Sequence, residues 1–118
     1  MHHVLSYRGP TLTFLRGEQG TEFCLAASAE WHESNHYWGS DECYALQILP
    51  LFHVIESGPK LLYLNMSIRG YPKGVRAGRN PSKPAISVNE AFNIVEYSGI
   101  PYTLHSVEVW GCGNTQHR

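Results

Sequence analysis

Residues 11–27 read TLTFLRGEQGTEFCLAA, and this stretch decides the fold class. Thr11-Leu12-Thr13-Phe14-Leu15 alternates polar and apolar side chains and is rich in residues that suit a pleated, half-buried surface, which predicts a strand. Arg16-Gly17-Glu18-Gln19-Gly20 supplies a loop, and Thr21 to Ala27 returns as a second strand, so the pair reads as a hairpin. The same rhythm continues outward. Cys43 to Leu49 predicts a third strand, stopped by Pro50. Phe52 to Ile55 and Leu61 to Asn65 flank the turn Ser57-Gly58-Pro59, and Gly70-Tyr71-Pro72-Lys73-Gly74 is another turn. Ala85 to Val88 is a strand running into Asn89-Glu90-Ala91-Phe92, and His105 to Trp110 alternates as a last strand ended by Gly111 and Gly113. Trp31 to Asp41 reads as a polar loop, and Ser87 to Ile94 has room for one short helical turn. Many short strands between turn signals predict a mostly β domain built as an antiparallel β-sandwich.

The composition agrees with one domain: 118 residues, 42% hydrophobic and 16% charged. A net charge of −1 gives no overall attraction to nucleic acid or membranes. The three cysteines, Cys24, Cys43 and Cys112, form no C-x-x-C pair, which is not the pattern of a secreted disulfide scaffold. The longest apolar region, Leu46 to Val54, is interrupted by Gln47, Pro50 and His53, too short and too broken to span a bilayer. The N-terminus lacks the basic-then-apolar pattern of a signal peptide, so the expected location is cytoplasmic, and the sequon Asn65-Met66-Ser67 carries no weight there.

Four blocks resemble the TLDc family. Tyr7-Arg8-Gly9-Pro10-Thr11-Leu12, followed by Phe23-Cys24-Leu25-Ala26-Ala27 and Trp31, is similar to the family's opening hairpin. Gly39 to Pro50 resembles its glycine-acid turn leading into an apolar strand and a proline. Tyr63-Leu64-Asn65, Gly74-Val75-Arg76-Ala77-Gly78 and Ile86-Ser87-Val88-Asn89-Glu90 resemble a tyrosine strand, a glycine-rich turn and a strand ending in acids. Val107-Glu108-Val109-Trp110-Gly111 is similar to the string that closes the domain. The chain departs from the family pattern in three ways: an N-terminal segment is expected to be missing, Arg76 and Arg79 stand at glycine positions, and the segment from Glu90 to Val107 is compressed. The resemblance implies a single TLDc-like domain over residues 1–118, a sandwich with short flanking helices, a link to oxidative-stress resistance and association with the vacuolar proton-pumping ATPase. It supplies no catalytic residues and no cofactor.

Several side chains invite a chemical reading of their own. His32-Glu33-Ser34-Asn35-His36 is a literal H-E-x-x-H, which on a helix would bind Zn²⁺ through both histidines with the glutamate as general base. Ser34 and Asn35 are weak helix formers and Gly39 follows closely, so an exposed loop is expected instead. Charge is segregated along the chain. Gly17 to Pro59 holds no lysine or arginine, whereas Arg69 to Lys83 holds Arg69, Lys73, Arg76, Arg79 and Lys83 and no acid. Such a surface orients an acidic partner, while an ordinary solvated loop would show the same run. Tyr37 and Trp38 are expected as exposed contact residues, and Trp31 and Trp110 as core. Cys112, between glycines, is the most accessible thiol expected, and Cys24 and Cys43 read as small core hydrophobes.

The expectation is therefore a non-catalytic protein-binding module using Arg69, Lys73, Arg76, Arg79, Lys83, Tyr37 and Trp38. The alternatives are a structural piece of a larger assembly, or an enzyme using His32 and His36 with a metal or Cys112 as a thiol. A nucleic-acid role is not expected, because the basic run has only Tyr71 for stacking.

Overall fold

A computed structural model describes residues 10–28, 31, 33–40, 42–80 and 83–111. Its strands are β1 (Thr11–Gly17), β2 (Glu22–Ala27), β3 (Tyr44–Leu49), β4 (His53–Ser57), β5 (Leu62–Asn65), β6 (Gly74–Ala77), β7 (Ile86–Val88), β8 (Ile94–Tyr97) and β9 (Ile100–Gly111). They form one nine-stranded sheet in the order β4-β3-β2-β1-β9-β8-β7-β6-β5, with every pairing antiparallel. The sequence predicts a mostly β chain, and it is one. Among the described residues the only helical turn is Glu18–Gly20, and residues 87–94, expected to hold a short helix, instead end β7, turn and begin β8.

Two meanders, β1 to β4 and β5 to β8, are joined through β9. Residues 104–111 of β9 pair with β1, whereas residues 100–103 pair with β8. The two halves share one core. Phe23 of β2 lies 5.2 Å from the Tyr97 ring of β8 and 6.5 Å from Tyr102 of β9. Leu15, Phe23 and Leu25 from the first half are buried with Leu62, Ile86, Val88 and Val95 from the second. The sheet therefore turns back on itself to remove apolar surface from water.

Both faces of β1 depart from the simplest reading of its alternation. Thr11 and Thr13 are buried, together with Leu15, and Leu12 and Phe14 lie on the opposite face. Because side chains alternate with a period of two, the position of Leu15 in the core fixes the threonines beside it.

Gly74 and Gly78 bracket β6, which the sequence reads as a glycine-rich turn. A Cβ on Gly74, at φ +114, would come within 2.1 Å of the Val88 carbonyl oxygen, so the β6–β7 backbones approach more closely there than any side chain allows.

Candidate functional site

The segment from Glu33 to Gly39 runs along the edge of β5 with a bend at Asn35 and His36. Ser34 N donates to Leu64 O at 2.9 Å, Trp38 N donates to Leu62 O at 2.8 Å, and Leu62 N returns to Trp38 O at 3.0 Å. The edge strand is thus covered. This corrects the expectation for Trp38: it is 8% exposed and packs edge-on against Trp31, with ring centroids 5.4 Å apart. The backbone hydrogen bonds with Leu62 turn it inward, so it is core and cannot present a contact surface. Trp31 is core, as expected.

The same path is non-helical over Glu33 to His36, the described part of the H-E-x-x-H string. His32 lies outside the described residues. Glu33 Oε1 accepts hydrogen bonds from Met66 N, Ser67 N and Ser67 Oγ at 3.1, 3.1 and 2.8 Å. His36 Nδ1 faces Asn35 Oδ1 at 3.0 Å and Ser34 Oγ at 3.2 Å. The i, i+4 geometry of a zinc-binding helix is not formed here. Among the described residues no three His, Cys, Asp or Glu side chains converge as a metal site.

Tyr37, by contrast, reaches the outer surface of the second half-sheet. Its ring lies 5.1 Å from that of Tyr63 on β5. Tyr63 is directly opposite Arg76 on β6, Arg76 opposite Ser87 on β7, and Ser87 opposite Glu96 on β8. Residues directly opposite in an antiparallel pair share a face, so these side chains form a row across the strands. At the aromatic end a groove of about 260 Å³ is lined by Asn35, His36, Tyr37, Tyr63, Pro72 and Arg76. The Tyr37 hydroxyl and Arg76 Nε are both shielded from solvent without a hydrogen bond of standard geometry, and the Arg76 guanidinium is the polar neighbour of the hydroxyl. Burial pushes the Tyr37 pKa above its ordinary 10.0, with the nearby Arg76 guanidinium opposing the shift, so the hydroxyl stays protonated at neutral pH.

The groove wall is set by Asn65, which is fully buried. Its Nδ2 donates to Ile68 O and Pro72 O, both at 3.1 Å, and its Oδ1 accepts from Ser67 N at 3.1 Å and Ile68 N at 2.8 Å. Tyr63 Oη donates to the same Pro72 carbonyl at 2.7 Å. One side chain therefore shapes the loop that carries Arg69, Tyr71 and Lys73. The asparagine of the sequon is consumed in this network.

The basic residues do not gather in one loop. Arg69 is exposed and Lys73 half-buried before β6, Arg76 is half-buried within β6, and Arg79 and Lys83 are exposed beyond it. They follow β6 as a strip, and acids meet them at its far end. Arg79 N donates to the Glu56 carboxylate. Glu56, Arg76, Lys83 and Glu96 also line an open cleft of about 630 Å³. Among the described residues the ion pairs within 4 Å are those of Arg16 with Glu22 and Glu108, far from this strip in the sheet order. Cys24 and Cys43 are buried, and Cys112 lies outside the described residues.

A feature missed in the sequence lies on the outer face of the first half-sheet. Trp110, Leu12, Ala26 and Tyr44 stand in register across β9, β1, β2 and β3, beside Phe14, Cys24, Leu46 and Val54. Trp110 is 57% exposed, correcting its expected core position. Val107 and Val109 pack against the core, so the residue after Val109 must point outward. At the β3–β4 turn, Leu51 and Phe52 are 75% and 66% exposed.

No protein-family model matches this chain, and no curated protein matches it significantly. No helix among the described residues is long and apolar enough to cross a membrane.

Proposed function

We infer that this chain is a non-catalytic protein-binding module of TLDc type, its two half-sheets serving as the layers of a β-sandwich with short flanking helices. Under this reading it acts in the cytoplasm, with the vacuolar proton-pumping ATPase as its partner and oxidative-stress resistance as its physiological setting. The supporting observation is the exposed apolar face carrying Trp110, Tyr44 and Val54, which continues to Leu51 and Phe52 at the β3–β4 turn. Contiguous exposed apolar surface of this kind marks interaction sites in soluble domains. The same face would serve a structural piece of a larger assembly, so the two binding readings differ in the permanence of the complex.

The test is affinity capture from cell lysate with the tagged chain, compared with a variant carrying Phe52→Ser and Trp110→Ser. Recovery of proton-pump subunits, lost in the variant, is the expected outcome. Recovery of no defined complex, or equal recovery by both chains, overturns the reading.

A further inference from the structure

The geometry points to the groove between residues 35–37 and the β5–β6 pair as a receptor for one carboxylate side chain, aspartate or glutamate, of a partner polypeptide. This rests on the protein-binding reading and gives it a ligand chemistry.

The first argument is a donor surplus. Arginine carries five N–H donors and no acceptor, and a protonated tyrosine adds another donor. Arg76 is half-buried, forms no ion pair within 4 Å among the described residues, and leaves Nε without a hydrogen bond. The Tyr37 hydroxyl beside it is buried, with the Arg76 guanidinium as its polar neighbour, so the two groups have no anionic acceptor between them. Glu56 and Glu96 line a separate cleft with Arg76 but form no ion pair with it within 4 Å, and several acceptors at the groove itself are already in use. The Pro72 carbonyl accepts from Tyr63 Oη and Asn65 Nδ2, and Asn65 Oδ1 accepts from two backbone amides. Asn35 Oδ1 is held against the His36 ring. Glu96 stands two strands from Arg76 in register, beyond Ser87. The group that satisfies this set is an incoming acceptor with negative charge.

The second argument is size and shape. A volume of about 260 Å³ falls below the roughly 300–1,000 Å³ of sites for whole cofactors or drug-sized ligands. It suits a single side chain. The walls are largely the faces of Tyr37, Tyr63 and Pro72, which suit a methylene stem, and the guanidinium suits the planar two-oxygen head of a carboxylate. Inorganic phosphate offers the guanidinium its oxygens too, but has no methylene stem to lie against Tyr37, Tyr63 and Pro72.

The third argument is location. The groove lies on the outer surface of the sheet, at the end of the row Tyr63-Arg76-Ser87-Glu96, and Arg76, Ser87 and Glu96 also line the open cleft beyond it. Glu96 at the opposite end of the row repels a second acid, which limits the acidic requirement to one position.

The experiment is an NMR titration of the ¹⁵N-labelled chain at fixed ionic strength, following Tyr37 and Arg76. The probes are acetyl-glutamate amide, acetyl-glutamine amide and inorganic phosphate. Saturable binding of the glutamate probe is expected, with a dissociation constant on the order of 1 mM for so small a ligand. The glutamine probe and phosphate should bind about tenfold more weakly or worse. Arg76→Lys keeps the charge but loses the fork, and should weaken the glutamate probe about tenfold. Tyr37→Phe removes one donor, should weaken it several-fold, and serves as the second variant should Arg76→Lys fail to fold. Equal response to glutamate and glutamine, tighter binding of phosphate, unchanged affinity in a folded variant, or no response overturns the inference. Capture of a partner from lysate without discrimination in the titration removes the groove alone. Discrimination in the titration without any captured partner keeps the groove and removes the protein-binding reading.

Discussion

Replacing Asn65 with alanine tests how far one buried side chain governs the basic loop. The substitution deletes hydrogen bonds to Ile68 O and Pro72 O and from Ser67 N and Ile68 N, all between 2.8 and 3.1 Å. At about 1 kcal/mol net for each, the loss is about 4 kcal/mol, and water entering the vacated space recovers part of it, leaving about 3 kcal/mol. For a domain of 118 residues that lowers the melting temperature by roughly 9–15 °C. Urea unfolding followed by tryptophan fluorescence should show the shift in midpoint with little change in slope, because the surface exposed on unfolding is unaltered. Asn65→Asp keeps the acceptor half of the network and sets a carboxylate against the Ile68 and Pro72 carbonyls, so it should do no better than alanine. A loss below about 1 kcal/mol for Asn65→Ala would refute the reasoning, since a buried network of this size cannot be that cheap to remove.

Further outcomes follow from individual residues. Thr13 Oγ1 is buried without a hydrogen bond, so the isosteric Thr13→Val should stabilise the fold by about 1 kcal/mol in urea melts. Ser98 and Gly99 form a two-residue β8–β9 hairpin turn with φ +52 and +83, and Ser98→Asn, better suited to that backbone, should add a few tenths of a kcal/mol by the same assay. Gly74→Ala meets both positive φ and the Val88 carbonyl, and should cost about 3 kcal/mol, visible as a lowered melting temperature. The raised Tyr37 pKa means that the folded state holds this proton more tightly than the unfolded chain. Its contribution is intact below the ordinary value of 10.0 and is lost as pH rises above it, so Tyr37→Phe should flatten the alkaline fall in stability measured by pH-dependent urea melts.

How much of this was legible in the sequence depends on which level is asked. The hairpin at residues 11–27 was readable because its turn chemistry and β-rich composition agree. The orientation of β1 was not, because Leu12, Phe14 and Leu15 offer apolar residues to both faces and only the fold decides between them. β6 was hidden for a different reason. Glycines at both ends signal turns in a single sequence, whereas here they permit close strand approach. The path of residues 33–39 was lost because polar composition looks like a solvent loop, and backbone pairing to Leu62 and Leu64 leaves no local trace. Consequently Trp38 and Trp110 were each expected on the opposite side of the surface from where they stand. Of the proposed site, Tyr37 and Arg76 were singled out from sequence for exposure and charge. Their meeting beside Tyr63 depends on pairings that only the fold supplies.

The position of β9 has a consequence for the order in which the molecule is completed. Among the described residues β9 is the last strand in chain order, yet it lies in the middle of the sheet, with β1 on one side and β8 on the other. As the polypeptide leaves the ribosome, β1 to β4 and β5 to β8 can each zip into a meander through neighbouring contacts. Residues 34 and 38 can already pair with β5, but the strand ladder between β1 and β8 cannot close until residues 100–111 emerge. Until then β1 and β8 both present open edges, and the nascent chain has two sites for mispairing with other strands. Insertion of one strand closes both, so the emergence of β9 is also the step that makes a single cooperative unit.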